Sequence, residues 1–495
     1  MRFPPGSNWI STLAIVAIIA LAAAFGTVPQ FRTQVIGIGG APSQAQQGAG
    51  PSAAGLPTST AGSTNNGPQS TGVASRDPIQ APSGLQCAQG KNGGSTDRGV
   101  DAGHIYLAST VAETGVGAAF LGEARYGMLA VVSQVNRQGG ICGRQLDLTV
   151  VDDGWSAQTG LNDIRNFINE NYFALAVVPS SEGLNAAARA PWGSGDIDSA
   201  PDPVTGTKGI PVVGTDGMLI SQYEDPWIWP VATSTISTAH LAVKSAYDAG
   251  ARTFGIVWDK TYRFGTEGEA AFRGAISRLA GAKLSSDVGI EAGQQDYSSQ
   301  VNQFNQGCHP CDVTFMMLEP DTALAWIKSD QSSGHYVFGS KRTEGPQPLF
   351  VSSFGQGCGQ LCNNMWLWSG FEAPYPPFDS DAPVSGYVNA IRSVSASADT
   401  ANQFTEGAYL GMNLLVDALR AISPYVTRAR LKAQLDSMTF RNGLTKDLAW
   451  QSGNHFADTS MLGFTIQYSG GFNGFQYQQT GWLRDPWSGL DHSSS

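Results

Sequence analysis

The chain has 495 residues, too many for one hydrophobic core and enough for two or three domains. Only 14% of the residues are charged, low for a cytoplasmic globular protein, and the formal net charge is -11. An acidic body without a stripe of Lys and Arg excludes nucleic acid as a partner, because phosphate binding needs clustered cations.

The first element is a targeting segment. Residues 9–25 read WISTLAIVAIIALAAAF and carry no charge, with Arg2 before them and Arg32 beyond. The run exceeds a usual signal-peptide core of about 7–15 residues and just reaches a spanning helix of about 17–25. Residues 1–28 are therefore expected to be a signal anchor, or a signal peptide if Ala22 and Ala24 mark a cleavage site. Either way the body lies outside the cytoplasm, at the cell surface when anchored to the membrane through this helix. Residues 29–102 are rich in Gly, Ser, Pro and Ala and cannot bury enough surface to offset their ordering entropy, so a disordered stalk is expected.

From 103 onward strands and helices alternate. HIYLASTVA is a strand, and Phe120, Ala124, Gly127, Val131 and Val135 recur at helical spacing until Gly139 and Gly140. QLDLTVVDDG, FALAVVP and IPVVG are further strands, separated by helices over 159–171 and 180–190 and by an acidic insert over 192–207. The rhythm repeats with a helix over 238–249, strand TFGIVWD, a helix over 265–279, strand DVTFMML, a helix over 321–329 and strand PLFVSS. A long apolar helix over 404–422 follows, and GFTIQYSGGFNGFQYQ forms a closing hairpin. This pattern predicts an α/β protein of two doubly wound parallel-sheet lobes.

Several motifs together are similar to a known family. NRQGGICGRQLDLTVVDDG supplies Asn136, Gly139, Gly140, Ile141, Gly143, Arg144, Asp152 and Asp153. IVWDKTYRFGTEGEAAFRGAI and the turn PSSEG complete the set. In this order and spacing, over about 103–475, the chain resembles the type I periplasmic-binding family, in its branch of branched-chain amino acid (leucine/isoleucine/valine) ABC-transporter binding proteins. The glycines also have a plain structural reading as helix stops and tight turns, and Asp152 and Asp153 as helix caps.

The resemblance implies lobe 1 over 103–235 and 371–443 and lobe 2 over 236–370 and 444–495, joined by a three-crossing hinge. A ligand then sits at the carboxyl ends of the strands, where helix N-termini face it. Ser180, Ser181, Thr215 and Asp216 are candidates to grip a carboxylate, with N-capping as the equally weighted alternative. Lobe 2 offers Phe264, Tyr262 and Glu319, the last to face an ammonium or to cap its own helix. Phe120 and Phe354 stand where family members place a tyrosine and an acid, which implies a less polar, aromatic-lined site. The implied function is capture of a small molecule, an amino acid or related carboxylate, and delivery to the permease of an ABC importer. A ligand-sensing receptor ectodomain is the alternative.

No enzyme chemistry stands out. Cys308-His309-Pro310-Cys311 has the spacing of a thiol–disulfide oxidoreductase, but it precedes a strand instead of opening a helix. No nucleophile elbow and no histidine pair with zinc spacing occurs, and Asp196, Asp198 and Asp202 lack the Gly and Glu of a calcium loop, so neither cofactor nor metal is expected. The six cysteines fit an oxidising compartment. Cys308 and Cys311 precede DVTFMML, whereas Cys358 and Cys362 follow PLFVSS. These ends lie on opposite edges of a parallel sheet, about 20 Å apart, too far to cross-link. The expected pairs are Cys308–Cys311, Cys358–Cys362 and Cys87–Cys142.

Overall fold

The computed structural model describes residues 78–88, 90–188, 195–333, 341–375, 378–450, 455–456, 460–469 and 475–487. The targeting segment over 1–28 and the stalk up to residue 77 lie outside them.

The first sheet consists of β1 (His104–Val111), β2 (Gln145–Asp152), β3 (Ala174–Ala176), β4 (Val212–Thr215) and β5 (Ile228–Pro230). All pair in parallel, in the order β2-β1-β3-β4-β5. Its crossovers carry α1 (Ala124–Arg137), α2 (Ala157–Asn169) and α3 (Ser181–Ala187), with two single turns, α4 (Asp196–Ser199) and α5 (Ser221–Glu224). Ala174, Leu175, Ala176, Val212 and Val213 are all buried, as expected of central strands covered by helices on both faces.

After Pro230 the chain moves to a second sheet, in which α6 (Thr235–Asp248), β6 (Thr253–Asp259), α7 (Arg263–Ser277), β7 (Lys283–Ile290), α8 (Ser298–Gly307), β8 (Val313–Met317), α9 (Pro320–Ser333), β9 (Arg342–Gly345), α10 (Ser352–Cys358) and β10 (Trp366–Ser369) alternate. It then returns to the first through α11 (Ala382–Arg392), α12 (Gln403–Ile422) and α13 (Arg428–Leu435), with α12 packed on α1 and β4. A two-residue ladder between β11 (Thr439–Phe440) and β12 (Leu448–Ala449) precedes the last passage to the second sheet. There β13 (Ser460–Tyr468) pairs antiparallel with β10, with β14 (Phe475–Gln479) and with β15 (Leu483–Arg484). The second sheet is therefore mixed, not wholly parallel, because the C-terminal hairpin joins its edge.

Two sequence expectations change. PLFVSS is not a strand: Gln347–Leu349 form a 3-10 turn and Ser352 opens α10. The strand is the polar RTEG upstream, where the buried Glu344 accepts a 2.6 Å bond from Trp368 Nε1 and pairs with Arg342. A short buried apolar run has no period that separates a strand from a tucked turn. FALAVVP is likewise strand only over Ala174–Ala176, because Val177 turns to φ 52°, the left-handed region that β-branched residues avoid.

The stretch read as stalk also ends sooner than 102. Residues 78–102 dock on the first sheet at the amino ends of its strands. Cys87 is bonded to Cys142, and the fully buried Arg144 donates to the carbonyls of Asn92, Gly94, Asp101 and Pro424. Arg428, equally buried, donates to the carbonyls of Tyr172, Phe173 and Gly209, and its own N–H meets Asp97. Thr427 and Arg430 hold the carbonyls of Pro78 and Ile79. At the other terminus His240 on α6 lies 2.9 Å from Asp485, both buried. Disulfides Cys308–Cys311 and Cys358–Cys362 are local. The second brackets the turn after α10, not a strand end.

Candidate functional site

The carboxyl ends of the two sheets face each other, and a few side chains bridge them. Trp155, in the turn after β2, stacks on Tyr262, in the turn after β6, with ring centroids 3.7 Å apart. Phe264 lies 5.9 Å from the same indole, Phe120 meets it edge-on at 5.3 Å, and Phe404 on α12 adjoins Phe120 at 5.4 Å. Two reciprocal hydrogen bonds accompany the stack. Glu182 on α3 accepts the Arg263 N–H at 2.7 Å, and Glu267 on α7 accepts the Ile220 N–H at 3.0 Å. Arg263 holds Glu267 in place at 2.9 Å.

The structure brings most of the sequence candidates to this seam, in varied roles. Tyr262, Phe264 and Phe120 belong to the aromatic contact. Burial, with Asp259, Glu319 and Glu182 nearby, pushes the Tyr262 phenol up to about 12. Ser181 Oγ accepts from Trp155 Nε1 at 3.4 Å, whereas the buried Ser180 hydroxyl lies against the Asp153 carboxyl and helps to lower its pKa against the effect of burial. Thr215 donates to Gln222 Oε1, which also takes the Gly217 N–H at 2.9 Å. Asp216 uses Oδ1 for Met218 N–H and Gln222 Nε2, while its buried Oδ2 has no partner among the described residues. Glu319 is a helix cap: its two oxygens accept the N–H groups of Asp321 and Thr322 at 2.8 and 2.7 Å. Phe354 is buried in α10, and among the described residues no ring contact joins it to Trp155. Asp196 pairs with Arg165, and Asp202 receives Val204 N–H and the Thr205 hydroxyl.

Residues not singled out from sequence complete the seam. Trp155 holds φ 59°, unusual for a bulky residue, right after the strand-end pair Asp152-Asp153. Beside the crossing at Phe371 lies a void that offers about 10 Å³ to the centre of a water molecule, room for one. Val177, Asp216, Gln347, Phe371, Gln403 and Phe404 line it. Gln403 accepts the Ser369 hydroxyl at 2.6 Å through Oε1, and its buried Nε2 has no partner among the described residues.

Burial dominates the electrostatics here. Desolvation raises the carboxyls of Asp216, Glu267 and Glu319 to about 7 each, against the lowering effect of Met218 N–H and Gln222 on Asp216, of Ile220 N–H and Arg263 on Glu267, and of Thr322 on Glu319; Glu182 adds to the rise at Asp216 and Glu267. The folded protein thus keeps protons that the unfolded chain sheds above about pH 4. Stability held at lower pH is lost as pH rises through about 7. The melting temperature is expected to be higher near about pH 5 than near about pH 8. A scan showing the opposite slope would contradict the burial of these three acids.

The solved structures similar to this chain share the architecture. A fatty acid ABC transporter substrate-binding protein from Thermomonospora curvata matches with TM-score 0.66 and 16% identity, over 81% of this chain and 97% of that one. A possible leucine/isoleucine/valine-binding protein from Rhodopirellula baltica SH 1 gives 0.63 and 15%, over 77% and 96%. An ABC transporter solute binding protein from R. palustris, in complex with benzoate, gives 0.61 and 14%, over 79% and 100%. At such identities the likeness speaks for the fold alone. No curated protein matches the sequence. Residues 104–471, most of the chain, match the family described as periplasmic binding protein, and the chain belongs to that family, as a type I member.

Proposed function

We propose that the chain is an extracytoplasmic solute-binding protein, tethered to the membrane through its N-terminal segment, that closes two lobes on a small molecule and hands it to an ABC permease. The lobes span 103–235 with 371–443 and 236–370 with 444–495. The observation that supports this reading most directly is the seam itself. Opposed strand ends meet there through one aromatic stack, two backbone-to-carboxylate bonds and the Asp399 carboxylate on the Ser352 N–H and hydroxyl, a set small enough to part as the lobes open. The sequence favours an amino acid or related carboxylate as ligand. Of the groups expected to hold one, Thr215 gives its hydroxyl hydrogen to Gln222, and Glu319 caps its own helix with one N–H on each oxygen.

The test is a thermal-shift screen of small solutes followed by X-ray scattering. A ligand bound only by the folded chain raises the melting temperature, by about 2.7 kcal/mol of stability at a hundredfold excess over Kd. The expected hit also compacts the particle or holds it compact. A hit that leaves the scattering of an open particle unchanged would sink capture by closure.

A further inference from the structure

We propose that the ligand meets the hinge end of this cleft with a neutral hydroxyl, received by Asp216 and Gln403, and not with a carboxylate. The proposal rests on the solute-binding reading and names the ligand chemistry of that same cleft.

Three independent features converge on the void beside Phe371. Asp216, 6% exposed, has one oxygen fixed by Met218 N–H at 3.1 Å and Gln222 Nε2 at 2.5 Å, while the other has no donor among the described residues. Gln403, 1% exposed, has its carbonyl oxygen fixed by Ser369, which leaves its Nε2 without an acceptor among the described residues. Val177, on the same wall, holds a left-handed backbone that its branched Cβ disfavours. Buried polar atoms without partners are rare because each one destabilises the fold. Both residues line the same void, so the acceptor of one and the donor of the other make a complementary pair.

The size and polarity of the pair define the guest. The void admits one oxygen-sized atom. With Asp216 ionised, above about pH 7, that atom must donate one hydrogen to Asp216 and accept one from Gln403, and a hydroxyl does both. A carboxylate has two oxygens and no proton to give, and it would face the Asp216 carboxyl. An ammonium group has no lone pair for Gln403. Phe371, Phe404 and Val177 supply an apolar wall for the carbon that bears the hydroxyl. The row of rings from Phe404 through Phe120 to Trp155 and Tyr262 continues that wall along the cleft.

The experiment uses the full chain at about pH 8, where Asp216 is ionised, and three probes with one ring and different ends: benzyl alcohol, benzoate and benzylamine, compared by thermal shift and titration calorimetry. Benzyl alcohol is expected to bind at least about tenfold more tightly than either charged probe, the scale of a hydrogen bond to a charged group. Asp216→Asn and Gln403→Met should each shrink that preference by about tenfold. If a variant fails to fold, the comparison of head groups on the unaltered protein decides alone. Benzoate or benzylamine binding as tightly as benzyl alcohol overturns the hydroxyl while leaving solute capture intact. Binding of none of the three overturns it as well, and the wider solute screen then tells independently whether the chain captures a ligand.

Discussion

Replacing Arg428 by alanine is expected to remove about 3–5 kcal/mol of stability, the usual loss when one partner of a buried charged network is deleted. The guanidinium is almost fully buried and donates to three carbonyls, of Tyr172 at 2.6 Å, Phe173 at 2.9 Å and Gly209 at 3.3 Å. Its removal strands those carbonyls away from water. It also leaves Asp97 and Asp202, a close buried pair, without the positive charge beside them. Burial and the neighbouring Asp202 already push the Asp97 carboxyl up to about 8, so the site has no slack. Arg165→Ala is the control: its pair with Asp196 is half exposed, and a change of about 1 kcal/mol or less is expected. Chemical denaturation of both variants reads the difference. Equal midpoints would show that Arg428 is not the clamp described.

Trp155→Ala carries the second large effect. The side chain is 2% exposed and contacts Phe120, Tyr262 and Phe264. Truncating a buried Trp or Phe to Ala usually removes about 3–5 kcal/mol. Part of that loss here should appear as shape, because one half of the stack belongs to each sheet. Scattering should show a larger particle for Trp155→Ala than for the unaltered chain, and Trp155→Phe should recover most of the difference. A variant as compact as the parent would mean that the carboxylate contacts, Glu182 with Arg263 N–H, Glu267 with Ile220 N–H and Asp399 with Ser352, hold the seam unaided.

Most of the architecture was legible because its signal is local. Alternating apolar strands and periodic helices mark β1 to β4, β6 and β8, whereas the short β5 and the polar β7 passed unread, and short cysteine spacings mark the two local disulfides. What failed was local ambiguity. PLFVSS buries Leu349, Phe350 and Val351 as a strand would, yet it belongs to a turn and a helix start. RTEG passed unnoticed because its Glu344 is buried through partners, Arg342 and Trp368, that no periodicity shows.

The site divides along the same line. Ser180, Ser181, Thr215 and Asp216 were visible because each follows a strand and opens a turn. Trp155 sits in an equally readable place, after Asp152-Asp153-Gly154, and the aromatic itself was the signal passed over. Gln403 and Phe404 were not readable at all. They reach the void only because α12 returns across the hinge to pack on β4, a contact far away in sequence from Asp216.

The docking of residues 78–102 has a mechanical consequence. That segment is fastened by a disulfide and two buried guanidinium clusters to one lobe, at the strand edge opposite the cleft. The eight-residue β1 and β2 place about 26 Å between those edges. Tension arriving along the chain from upstream of Pro78 would therefore load the first sheet and not the second. On the proposed reading of a tethered protein that closes on its ligand, the second lobe would swing as a free arm, its grip indifferent to how hard the mooring is pulled.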